Sequence, residues 1–250
     1  MLDSLAHGAR TLLQLELTPA QLAAFQTYAD ELREWNEKFN LTAIKDAEGI
    51  QIKHFLDSLS ILKILPSSSV PRSGPPSSAL RSPSFVDIGT GAGFPGLPLK
   101  IVCPDIKLTL VEATGKKVKF CEHLIAKLNL HGVTVIKARA EEIGHDPVHR
   151  ERYNWAVARA VAEMSTLAEY LLPLVKRGGH AVAQKGSGAP RETQTATGAV
   201  KRLGGELEHL VPVELPGIAE TRYLVVFKKI AATPVAYPRR TGLPAKTPLA

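Results

Sequence analysis

Two carboxylates and a run of glycines are the residues of this chain best placed to do chemistry. Phe85 to Gly96 reads FVDIGTGAGFPG, a buried strand entering a loop with Gly89, Gly91, Gly93 and Gly96, then an apolar helix from Leu97 to Val102. Glycine serves where backbone must take positive φ or approach a ligand closely, and a helix start turns free N–H groups toward that ligand. Gly91, Gly93 and Gly96 alone satisfy the dinucleotide pattern G-x-G-x-x-G, so the acids must discriminate. Asp87 ends the first strand, where a dinucleotide site keeps an apolar residue, and its carboxylate is expected to face the ligand. Glu112 ends a second strand, Leu108 to Val111, roughly twenty residues beyond the loop, the spacing at which an acid meets ribose hydroxyls. Acids at both strand ends suit a nucleoside that carries a cationic amine and a sulfonium but no pyrophosphate, which is S-adenosylmethionine. Another nucleotide on a Rossmann-like unit stays open on these residues alone.

The elements around the loop alternate strand and helix, as a parallel sheet requires. A basic helix spans Gly115 to Leu130, with Lys116, Lys117 and Lys119 on it. A third strand, Val133 to Ala138, leads to Ala140 and Glu141, where a doubly wound site reaches an adenine. The strand Trp155 to Ala158 ends in Arg159, and the strand His180 to Gln184 ends in Lys185. Ligands bind beyond the carboxyl ends of such strands, which makes Arg159 and Lys185 the candidate catalytic residues. Strands at Glu206 to Val213 and Arg222 to Lys229 form a terminal antiparallel pair. The expected fold is α/β: a Rossmann-like class I methyltransferase, seven-stranded and mostly parallel with helices on both faces, plus an N-terminal helical extension.

That extension covers residues 1–65. Thr18 and Pro19 start a helix to Phe39 whose Leu22, Phe25, Ala29, Leu32, Trp35 and Phe39 form a packing stripe. A second helix runs from about Glu48 to Leu65 and places His54 and Asp57 on one face. Residues 66–84 hold eight serines and five prolines, a linker too polar to offset its ordering entropy. The methyltransferase unit is expected over 85–230, and a basic tail over 231–250.

The 250 residues are 44% hydrophobic, with 31 Lys and Arg against 24 Asp and Glu, a net charge of +7 that suits a polyanionic partner. Much of that excess lies from Lys228 onward, where no acid occurs. Cys103 and Cys121 have neither disulfide nor zinc spacing, so reduced thiols and no metal are expected. No segment reaches the roughly 18 apolar residues of a membrane span. A cytoplasmic monomer without membrane contact is the expectation. A nicotinamide oxidoreductase is disfavoured by Asp87, and a non-catalytic RNA-binding protein by the intact glycine and acid set.

EWNEKFNLTAI (Glu34 to Ile44), KHFLDSL (Lys53 to Leu59), FVDIGTGAGFPGLPL (Phe85 to Leu99), ARAEE (Ala138 to Glu142), ARA (Ala158 to Ala160) and RYLVVFKK (Arg222 to Lys229) occur in order. Together they resemble the RsmG (GidB) family, covering the chain from about Thr18 to its end. The resemblance implies methylation of N7 of a guanine in 16S rRNA with S-adenosylmethionine, on naked RNA or on the small ribosomal subunit. It implies that Gly89, Phe94, Ala140, Glu141 and Arg159 hold the cofactor, to which the residue-level reading adds Asp87, Gly91, Gly93 and Glu112. Guanine N7 has a lone pair and no proton to lose, so no general base is expected. Lys185, Arg222, Arg239, Arg240 and Lys246 are the expected RNA contacts. Removal of the tail after Lys229 is expected to weaken RNA binding and leave cofactor binding intact.

Overall fold

Seven strands assemble in the order β3-β2-β1-β4-β5-β7-β6 in the computed structural model, which describes residues 2–66 and 82–250. They are β1 (Ser84–Ile88), β2 (Lys107–Glu112), β3 (Val133–Lys137), β4 (Tyr153–Arg159), β5 (Val175–Lys185), β6 (Gly205–Val213) and β7 (Arg222–Lys229). The first five pair in parallel, whereas β7 runs antiparallel between β5 and β6. Parallel neighbours need crossovers, and those crossovers place helices on both faces. Side chains alternate along each strand, so Phe85, Leu108, Trp155 and Val182 join one apolar cluster, and Val86, Val111, Ala156 and Ala183 join the other. Four strands end at one rim, where Asp87, Glu112, Arg159 and Lys185 lie at or next to the last strand residues.

The first face is covered by helices Gly96–Val102 and Gly115–Lys127 and by the N-terminal helices. Helix α1 (Asp3–Leu13) had no individual sequence expectation; Leu5, Gly8 and Ala9 are its buried residues. Helix α2 (Pro19–Phe39) starts where Thr18 and Gln21 cap each other, and it buries Phe25, Tyr28, Ala29, Leu32 and Asn36. The segment 47–63 is continuous but not uniform: after a first turn it widens to a π-helix over Ile50–Leu56, returns to α at Asp57–Leu59 and tightens to 3-10 at Ser60–Lys63. Widened turns of this kind recur at functional sites, and this one carries His54. The second face is covered by Met164–Leu171, by Ala189–Thr195 and Thr197–Arg202, and by Leu249 from the C-terminus.

Strand boundaries depart from the sequence reading by a few residues, most at β5, which begins at Val175 rather than His180. Gly178 and Gly179 therefore lie inside a strand and not before it. Residues 67–81 of the expected Pro/Ser linker lie outside the described residues, and β1 already begins at Ser84. Among the described residues, no helix is long and apolar enough to cross a membrane.

Candidate cofactor and acceptor site

The glycine loop is folded around Asp87. Thr90 Oγ1–H and Gly96 N–H both donate to Asp87 Oδ2, at 2.7 and 2.8 Å, so the carboxylate staples the loop to the start of the next helix. Asp87 is fully buried. Burial pushes its pKa up to about 6, against the opposing pull of those hydrogen bonds and of Arg159. Its expected place facing an open site is thereby refined: Asp87 acts through the loop it holds, and only Oδ1 is left without a partner among the described residues.

Glu112 performs the second half of this work. Its Oε2 accepts from Gly91 N–H at 3.0 Å and its Oε1 from Thr114 N–H at 2.8 Å, tying the glycine loop to the turn after β2. Gly91 takes φ +62°, and a Cβ built there would meet no protein atom closer than 3.9 Å. Left-handed backbone facing open space is what close approach of a ligand requires. Gly93, at φ +95°, is different, because a Cβ there would lie 2.6 Å from the Tyr28 hydroxyl. Tyr28 donates to Ala92 O at 2.6 Å. Sequence reading passed over Tyr28, although a hydroxyl on an otherwise apolar stripe was a legible signal.

Phe94 lies inside an aromatic stack. Tyr28 is parallel to it at 5.2 Å and His54 at 4.4 Å, which leaves Phe94 5% exposed. Arg159 reaches its ring as well, with Cζ 4.9 Å from the centroid. The same guanidinium donates to the carbonyls of Lys53 and His54, to Asp57 Oδ2 at 3.1 Å and to His54 Nδ1 at 3.1 Å. Because Arg159 can only donate, His54 Nδ1 is the acceptor, and its Nε2–H is left to donate to Thr42 Oγ1 at 2.8 Å. Burial, reinforced by Arg159, pushes the His54 pKa down to about 3, so the ring is neutral. His54 and Asp57, placed on one helix face by their spacing, therefore meet through Arg159, and both are buried.

Beyond β3, Ala140 opens the helix Ala140–His145 and Glu141 is buried beside it. Glu141 Oε1 accepts from Gly242 N–H at 2.8 Å. The basic tail is thus docked against the element expected to meet the adenine. Arg239 forms a two-pronged pair with the fully buried Glu169, its Nη2 2.7 Å from Oε2, and Arg150 donates to the carbonyls of Thr233, Pro234 and Tyr237. Arg239 is consequently an anchor of the chain end. Lys185 is also engaged, 2.7 Å from Glu192 Oε2 and donating to Ala162 O. Arg222 lies 3.5 Å from Asp57 Oδ2 and keeps 26% side-chain exposure. Arg240 and Lys246 are exposed and form no ion pair among the described residues.

Arg159, Arg222, Asp57 and His54 line an open pocket of about 340 Å³ together with Ile44, Lys53, Leu215, Ile218 and Glu220. It adjoins the glycine loop, since a Cβ on Gly89 would lie 2.8 Å from Val161, just past Arg159 and Ala160. Both cysteines are buried, and burial pushes the Cys103 thiol up to about 12 and the Cys121 thiol above its ordinary value. Neither is a ready nucleophile. Among the described residues, no group of three or more His, Cys, Asp or Glu is arranged to hold a metal ion.

The strand order, the antiparallel β7 and the glycine loop between two strand-end acids define a Rossmann-like methyltransferase fold. A mutant form of the 16S rRNA adenine-N1 methyltransferase of Catenulisporales acidiphilia, solved with its cosubstrate SAM, shares it at TM-score 0.50 and 13% identity, covering 62% of this chain and 88% of that one. Residues 21–217 match the family described as rRNA small subunit methyltransferase G, GidB. Ribosomal RNA small subunit methyltransferase G of Roseiflexus sp. is 48% identical over 99% of this chain and 100% of its own length. Its namesake in Alkaliphilus oremlandii is 44% identical over 99% and 98%. The chain belongs to the small-subunit rRNA methyltransferase G family.

Proposed function

We propose that this protein transfers the methyl group of S-adenosylmethionine to N7 of a guanine in small-subunit (16S) ribosomal RNA. The observation that carries the reading is the open, left-handed Gly91 between two strand-end acids, beside a pocket rimmed by Arg159 and Arg222, in a chain of this family. The residues fit the cofactor: Gly91 leaves space at the loop, Glu112 stands where an acid meets ribose hydroxyls, and Asp87 keeps one oxygen unpartnered. S-adenosylmethionine supplies an electrophilic methyl group on a sulfonium centre.

What the protein adds is alignment. Asp87, Glu112 and Tyr28 hold the glycine loop in one shape, while Arg159 fixes the N-terminal layer against the acceptor pocket. Placing two reactants in register can contribute about 7 to 11 kcal/mol. No residue has to accept a proton from N7, so Arg159 and Lys185, both engaged in ion pairs, act by positioning and charge. Arg240, Lys246, Lys116 and Lys119 are among the exposed cations available to RNA phosphates. The glycine loop and the acceptor pocket beside it draw all their residues from this one chain, which supports a monomeric enzyme, and its RNA substrate supports a cytoplasmic one.

The test is transfer of labelled methyl to under-methylated small subunits and to naked 16S rRNA, with mapping of the product. Label at a single guanine N7 is the expected result. Label on another atom, or none with cofactor bound, would overturn the reading.

A further inference from the structure

The acceptor pocket contains one carboxylate, Glu220, that keeps an oxygen without a partner among the described residues. Asp57, its other acid, is 3% exposed and engages Arg159 and Arg222. Glu220 is exposed at the pocket wall but is held in place. Ser187 N–H and Oγ–H both donate to Glu220 Oε1, at 3.0 and 2.9 Å. Those bonds hold its pKa below the usual carboxylate value. The loop after β5 is shaped for this contact, since a Cβ on Gly186 would sit 2.6 Å from Glu220 Oε1. Oε2 has no hydrogen bond or ion pair among the described residues. Ile44, Leu215 and Ile218 supply apolar walls to the same pocket, and Lys53 and Arg222 supply cations at it.

An acceptor-only group between apolar walls matches an edge that only donates. Guanine presents such an edge in N1–H and the N2 amine, whereas adenine turns an acceptor, N1, toward the same place. We infer that Glu220 selects guanine, its Oε2 accepting from the N2 amine with N1–H beside it. This rests on the guanine-N7 reading above and names the residue that chooses the base. The same contact serves the transfer. A base methylated at N7 is cationic, so its N–H donors bind an anion more strongly as the reaction advances. Lys53 and Arg222 are then left for the phosphates on either side of the base.

Inosine separates recognition from reaction, because it lacks only the N2 amine and keeps N7. The experiment measures kcat/KM on RNA carrying guanosine or inosine at the mapped target, for wild type, Glu220→Ala, Glu220→Gln and Ser187→Ala, with cofactor affinity by calorimetry as a folding control. Wild type should favour guanosine by roughly tenfold or more, the worth of one bond to a charged acceptor. Glu220→Ala should lose roughly 10- to 100-fold on guanosine and treat the two substrates alike, with cofactor affinity unchanged. Glu220→Gln, whose amide oxygen is claimed by Ser187 N–H, turns its NH2 donor toward the base and should lose the preference for guanosine although it keeps the shape of the side chain. Ser187→Ala should show a partial loss of discrimination. A Glu220→Ala enzyme with the wild-type preference for guanosine would overturn the assignment. A wild type that methylates neither RNA would instead bring down the function on which it rests.

Discussion

The two sides of the site are held together differently. On the cofactor side, acids grip backbone: Asp87 takes Gly96 N–H and Glu112 takes Gly91 and Thr114 N–H. On the acceptor and tail sides, acids grip arginines: Asp57 pairs with Arg159 and Arg222, and Glu169 with Arg239. The first arrangement stiffens a loop from within. The second clamps remote segments onto the sheet, and removing Asp57 leaves Arg159 with neutral acceptors but no carboxylate.

If that contrast is right, the largest effect should come from Asp57→Ala. It strips Arg159, whose side chain is only 9% exposed, of its carboxylate, and removal of one partner from a buried pair costs about 3 to 5 kcal/mol. Urea unfolding should show this loss, with impaired methyl transfer where the N-terminal layer loosens. Arg239→Ala should follow at about 2 to 3 kcal/mol, since Glu169 keeps the Arg239 N–H but loses the charged fork. Because Glu141 also holds Gly242, truncation after Lys229 should weaken cofactor binding as well as stability. The docked tail thus amends the expectation of an RNA-only effect, and unchanged cofactor affinity in the truncated form would restore it.

Acid should set the two sides against each other. His54, with its folded pKa lowered from 6.5 to about 3, contributes stability above pH 6.5 that is lost as pH falls toward 3. Asp87, raised from 3.8 to about 6, works in the opposite sense, because the folded state takes up its proton first as pH falls through 6. The two contributions offset each other in wild type. Asp87→Asn should therefore make stability fall more steeply on acidification, and an unchanged slope would show that the linkage is absent. The smallest effect expected is that of Tyr28→Phe, which removes the bond to Ala92 O at about 1 kcal/mol. Its signature is a raised KM for cofactor with little change in melting temperature.

The cofactor side was legible because its contacts are short-range in the chain. Asp87, Thr90 and Gly96 lie within ten residues, and Glu112 follows at the spacing a strand, helix and strand impose. Arg159 was found by position, at the end of β4, but its partners could not be. Asp57 and Lys53 are over 100 residues away, and their spacing on a presumed regular helix took no account of the π-turn that carries His54. The tail was the hardest to read. A run of basic residues without acids looks like a solvated RNA contact until Glu169, 70 residues upstream, is brought to Arg239.

By itself, then, the sequence determined the strand and helix alternation, the glycine loop and its two acids, since hydrophobic period, glycine and local hydrogen bonds operate over a few residues. The tertiary structure alone decided which charges were spent. Asp57, Glu169 and Lys185 are committed to partners that the folded topology supplies, while Glu220 keeps one oxygen free at the pocket wall. Whether a charged group meets a partner depends on which remote segments the sheet brings to its edge, and no local pattern encodes that.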